Sequence, residues 1–200
     1  MSGPIKPNSD VEHRIYTTST LEIRQDGDQP ARMVGYAAVF GQDSEDLGGF
    51  VERVMPGAFA HSLGGDVRAL FNHNSNLILG RTKAKTLTLR EDTHGLLAEI
   101  IPPDTSAGRD LVESIRRGDV DQMSFGFRTI KDNWEERSPG VWLRTLLEVR
   151  LVDVSPVVFP AYPTTEIAVR SRDAWQAANA APPAADLANE RRRLELLALD

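Results

Sequence analysis

The chain has 200 residues, 40% of them hydrophobic and 26% charged, with a formal net charge of −6 and a pI of about 5.3. This suits one core of ordinary size plus tails, and the acidic balance argues against a general nucleic-acid or membrane-surface binder. With four histidines and no cysteine, disulfides, thiolate metal sites and cysteine nucleophiles are excluded; with no basic-then-apolar leader and no apolar run near ~18 residues, the chain is expected in a cytoplasm.

Residues 1–13 are polar, hold Pro4 and Pro7, and read as a flexible arm. Ile15 to Ile23 has the period-two alternation of a strand, and Gln25 to Pro30 is a turn. Arg32 to Phe40 is a second strand, followed by an acidic loop to Gly49 and a short extended run from Phe50 to Val54. Pro56, Ala58, Phe59 and Leu63 suggest a brief helix stopped at Gly64-Gly65. Val67 to His73 is a strand ending in a turn at Asn74-Ser-Asn76. Ile78 to Thr82, Thr86 to Arg90 and Gly95 to Ile101 are further short strands, with Glu91 to His94 as a hairpin connection.

Ser106 to Arg117 is the clearest helix. Leu111, Val112 and Ile115 share one side, Arg116 and Arg117 suit its carboxyl end, and Gly118 can cap it. Asp121-Gln-Met-Ser-Phe-Gly-Phe127 follows as a strand: Met123, Phe125 and Phe127 point to a core, Gln122, Ser124 and Gly126 to the other face. A small hydroxyl thus lies beside a glycine that leaves open space above it. After a polar hairpin from Asp132 to Gly140, Val141 to Val158 is extended, with a break at Pro156. The body therefore reads as mainly β with helical insertions, a barrel or a sandwich. Beyond Arg170 the composition turns alanine- and proline-rich. Residues 171–200 are expected to be a linker and a short amphipathic helix around Arg191-Arg-Arg193, a frayed end or a partner-binding element.

A serine nucleophile needs a base, and the base an orienting acceptor. His13 lies in the arm and His94 in a charged hairpin, where both would be solvated, and His61 is on a surface. His73 ends an apolar strand and is the best base available, though a strand-end histidine is commonly structural. In Leu147-Glu-Val-Arg-Leu-Val-Asp-Val-Ser155, the face of Leu147, Val149 and Leu151 continues to Asp153. A carboxylate there is costly unless hydrogen-bonded, and an imidazole N–H would satisfy it, as would an arginine. Glu148 falls on the other face and is the weaker candidate. No G-x-S-x-G elbow, H-E-x-x-H, Walker loop or G-x-G-x-x-G occurs.

Six blocks occur in a familiar order: Gly35-Tyr-Ala-Ala-Val-Phe40, Val54-Met-Pro-Gly-Ala-Phe59, Leu70-Phe-Asn-His-Asn74, Gly80-Arg81, Met123-Ser-Phe-Gly-Phe127 and Val152-Asp-Val-Ser-Pro-Val-Val-Phe-Pro-Ala161. Together they resemble the prohead maturation proteases of tailed phages, a family related to the herpesvirus assemblins. The resemblance covers residues 14–170. It implies an assemblin-like closed β-barrel surrounded by a few helices. It also implies a serine endopeptidase inside the immature capsid that cuts the scaffold, or the scaffolding segment of the major capsid protein, and itself. His73 matches the base, Ser124 the nucleophile, and an acidic residue near Asp153 the third member. Neither metal nor organic cofactor is implied; self-association is possible, and nucleic acid and membrane are not expected partners. A non-catalytic scaffolding protein that keeps the barrel is the alternative.

Overall fold

The computed structural model describes residues 11–16, 21–159 and 172–177. Ten strands and one long helix follow in order: β1 (Glu12–Ile15), β2 (Leu21–Arg24), β3 (Arg32–Val39), β4 (Phe50–Val54), β5 (Arg68–Phe71), β6 (Asn74–Arg81), β7 (Leu87–Glu91), β8 (Gly95–Ile100), α1 (Ser106–Arg117), β9 (Gln122–Ser138) and β10 (Val141–Val157). One sheet runs β1-β9-β10-β5-β6, with β4 also paired to β10; the other runs β2-β3-β8-β7. The two faces share one core, in which Met33, Ala37, Leu96 and Ile100 meet Phe125, Phe127, Val149 and Val154. Among the described residues no helix is long and apolar enough to cross a membrane.

The mainly β expectation holds, but the closed barrel does not. β1 and β2 belong to different sheets, and an isolated Phe40–Val54 bridge joins the two at one corner. The expected strand from Ile15 to Ile23 is thus two strands, divided around residues 17–20, which lie outside the described set. β1 also begins inside the expected arm, at Glu12.

The helix expected from Pro56 forms consecutive turns instead. Gly57 has φ of +87° there, a left-handed conformation that no helix interior accepts. The Phe59 N–H is drawn off to the Glu91 carboxylate at 2.9 Å. By contrast α1 has the expected bounds. Thr105 caps it by accepting from the Gly108 N–H, Gly118 closes it at φ 79°, and Leu111, Val112 and Ile115 are buried.

The long β9–β10 hairpin carries the molecule. β9 continues through the polar stretch to Ser138, and β10 runs through Pro156, which faces Met123 without breaking the pairing. Met123, Phe125 and Phe127 are fully buried, as alternation requires. β10 also pairs parallel with β5, Asp153 opposite Arg68 and Val154 opposite Ala69. That contact is non-local and places the end of β5 beside the end of β10.

β1 is bolted on by buried charge. Glu12, Arg14, Glu52 and Arg144 are all essentially inaccessible. Arg144 Nη1 reaches Glu12 Oε2 at 2.7 Å and Glu52 Oε2 at 3.0 Å, and Arg14 Nη2 reaches Glu12 Oε2 at 2.7 Å. Thr129 donates to Glu12 at 2.8 Å. Burial opposes the Arg144 charge, but Glu52 and Glu12 outweigh it and its pKa rises. Buried charges persist only when paired and hydrogen-bonded in this way.

The C-terminal tail is described only over residues 172–177, which are helical, with Trp175 against Trp142 at 6.3 Å between ring centroids. The expected helix around Arg191-Arg-Arg193 lies outside the described residues.

Candidate active site

Three neighbouring strands bring the site together. β9 supplies Ser124, β10 supplies Asp153 and Ser155, and the β5–β6 turn supplies His73. The turn is tighter than the sequence suggests. Phe71 pairs with Asn74, so Asn72 and His73 are its two central residues, and the expected turn at Asn74 to Asn76 is already strand β6.

Asn72 and His73 have φ of 52° and 56°. Two-residue hairpins of this kind demand positive φ at both positions, which Asn tolerates and glycine favours. A histidine in the second place is strained, and strain of this kind is held by surrounding contacts. Here the Asn72 N–H donates to Pro156 O at 3.0 Å, the His73 N–H to Ser155 Oγ at 3.3 Å, and Asn72 Oδ1 accepts from Val158 N–H at 3.0 Å.

The side chains form a relay. His73 Nε2 is 2.7 Å from Ser124 Oγ, and His73 Nδ1 is 2.6 Å from Asp153 Oδ1. Ser155 Oγ donates to the same Asp153 oxygen at 2.8 Å. With its proton on Nδ1, toward the carboxylate, the imidazole offers a lone pair at Nε2 to the serine. The three residues singled out by sequence therefore meet. Glu148 does not join them; it faces exposed His61 at 3.1 Å.

Leu147, expected in the buried row leading to Asp153, is exposed, because bulges flank Glu148 and restart the alternation at Val149. The space above Gly126 is not open either. It is filled by the Asp153 carboxylate, which a Cβ would overlap, and by the His13 ring edge 3.0 Å from that Cβ position. Ser124 is fully buried, and its hydroxyl also lies within donating distance, 2.9 Å, of the Arg14 carbonyl on β1.

Sequence reasoning missed two residues here. His13, expected in solvent, is half-buried on β1, where Gly126 is its pairing partner. Its ring lies 3.9 Å from that of His73, and its Nε2 is 3.9 Å from Asp153 Oδ2. Burial, then the charge of His73, lowers the His13 pKa despite the pull of Asp153. Ser155 was signalled by period two from Asp153 along β10. Phe125 to Phe127 is flanked by both β1 and β10, so its N–H groups face ladder partners.

The family model for caudovirus prohead serine proteases matches residues 19–179. The chain belongs to that family. It is 30% identical over 156 residues to the prohead protease of Enterobacteria phage HK97, a match covering 76% of this chain and 64% of that protein's length. Its fold is similar to that of the bacteriophage T4 capsid assembly protease, with a TM-score of 0.50 at 12% identity over 76% of this chain and 100% of that one. Such low identity speaks for the fold alone. All of β2 to β10 lies inside the matched family segment, and β1 with His13 precedes it.

Proposed function

We propose that this prohead serine protease family member is an endopeptidase of capsid maturation with Ser124 as nucleophile, His73 as base and Asp153 as orienting acceptor. One observation carries the reading: a single imidazole is bonded to the serine hydroxyl through one nitrogen and to a buried carboxylate through the other. Ser124 Oγ attacks the scissile carbonyl carbon as its proton passes to His73 Nε2. Asp153 keeps the other proton on Nδ1 and balances the imidazolium that forms. His73 then returns the proton to the leaving amine, and water repeats the sequence on the acyl-enzyme. Oxyanion donors add on the order of 100-fold or more in such reactions.

The substrates are the scaffold, or the scaffolding segment of the major capsid protein, and the chain itself, cut inside the prohead in the host cytoplasm. The catalytic body runs from β1 through β10, and residues 171–200 serve as a detachable docking tail. The buried serine, whose proton the Arg14 carbonyl can also accept, supports a protease that is weak until packaging or self-association rearranges the cover over Ser124. The same burial favours a second reading, a scaffolding protein with a vestigial site. A fluorophosphonate probe applied to proheads assembled with the chain separates the two. An adduct on the Ser124 peptide, lost with His73→Ala, is expected; no adduct in proheads would support the scaffolding reading.

A further inference from the structure

We propose that His13, His73 and Asp153 form a binding site for a divalent transition-metal ion of the zinc class, and that its occupation holds the chain inert. Binding stands on the geometry alone; the effect on activity rests on the reading of Ser124 and His73 given above.

Each of the three residues offers one ligand atom within 4.8 Å of the other two. Tetrahedral ligands about 2 Å from zinc lie about 3.4 Å apart, so the 3.9 Å between His13 Nε2 and Asp153 Oδ2 closes by a few tenths of an ångström and the 2.6 Å between His73 Nδ1 and Asp153 Oδ1 opens to admit the ion. Two imidazoles and one carboxylate suit zinc rather than magnesium or calcium, which prefer oxygen. The His13 side chain is 33% exposed against 12% for His73 and 5% for Asp153, so an ion would enter from the His13 side. A three-residue set leaves one position for solvent.

Inhibition follows from the count of protons on Ser124. Its oxygen has two neighbours able to take its single proton, His73 Nε2 at 2.7 Å and the Arg14 carbonyl at 2.9 Å. In the reactive tautomer, His73 carries its proton on Nδ1 toward Asp153, and the serine donates to Nε2. In the other tautomer, Nε2–H donates to the serine oxygen and the serine donates to Arg14. Without a cation, that state sets the Nδ1 lone pair against a carboxylate 2.6 Å away, which is unfavourable. A metal ion bound by Nδ1, Asp153 and His13 turns that repulsion into coordination. The His73 proton moves from Nδ1 to Nε2, none is released overall, and the base has no lone pair left for the serine.

The test is titration of full-length Ser124→Ala protein with Zn²⁺ by calorimetry, in two buffers of different ionisation enthalpy. One ion per chain is expected, with at most fractional proton release, and at least tenfold weaker binding in Ser124→Ala protein carrying His13→Asn or Asp153→Asn. Co²⁺ should give the visible absorption of a four-coordinate nitrogen and oxygen site, absent from the same variants. Circular dichroism establishes that each variant is folded. No binding, or equal affinity in the folded His13→Asn protein, would overturn the site. In wild-type protein, Zn²⁺ should suppress capsid-protein cleavage at least tenfold, reversibly by chelator. Tight Zn²⁺ binding without any loss of cleavage would overturn the inhibitory role. A wild-type chain that binds Zn²⁺ but never cleaves would count against the protease reading and leave the site standing.

Discussion

Gly126 and Asp153 face each other across the β9–β10 ladder, and the space of the side chain that Gly126 lacks holds the Asp153 carboxylate. Gly126→Ala would push Asp153 Oδ2 aside and disturb the 2.6 Å contact between Asp153 Oδ1 and His73 Nδ1. Displacing a catalytic group by about 1 Å commonly lowers rate by about 100-fold. Cleavage of capsid protein by Gly126→Ala should fall by that order while circular dichroism stays native. A rate near wild type would mean that Asp153 does not orient the base.

The turn that presents His73 gives a second expectation. Asn72, at φ 52°, accepts a glycine readily but not an alanine. Asn72→Ala should destabilise the chain by about 1–2 kcal/mol and slow cleavage, whereas Asn72→Gly should keep most of both. Denaturant midpoints for the pair, measured with wild type, check this. Equal midpoints would mean that the left-handed backbone is not held in solution.

Arg144 is the hub of the buried network. Arg144→Met removes one cation from between Glu12 and Glu52 and leaves Arg14 as the cation bonded to both carboxylates. Breaking such a pair costs about 3–5 kcal/mol. Urea unfolding should show a loss of that order, and a loss below about 1 kcal/mol would count against a charged, desolvated network.

The network also sets a pH dependence. Burial raises the Glu12 pKa, but Arg144 and Arg14 outweigh it, so the folded value lies below the ordinary 4.5. The stabilisation is therefore present above about pH 4.5 and is lost as pH falls through the lower folded value. Thermal unfolding should show this acid limb, and Glu12→Gln, although less stable at neutral pH, should lose less on acidification. An unchanged acid limb in Glu12→Gln would show that Glu12 does not carry it.

Much of the site was legible because ordinary alternation governs its strands. Met123, Phe125 and Phe127 marked the buried face of β9, and Val149 and Leu151 pointed to Asp153. The meeting of His73 with that pair depends on the parallel β10–β5 contact, which no local pattern announces. β1 escaped notice for a physical reason. Its buried positions are Glu12 and Arg14, so a search for apolar periodicity reads it as a solvated arm and discards His13 with it. The barrel failed where local signals are silent, at the choice of sheet for β1 and β2.

The most direct measurement is intact-mass analysis of the chain co-expressed with its capsid or scaffold protein, wild type beside Ser124→Ala. The fully buried position of Ser124 has room only for a small side chain, so alanine should leave the fold intact while removing the hydroxyl. Fragments of the capsid or scaffold protein should form with wild type and vanish with Ser124→Ala, at equal expression and native circular dichroism. The same fragments from Ser124→Ala would contradict a serine mechanism at this site. Intact masses from both, with capsids still assembling, would contradict a protease altogether.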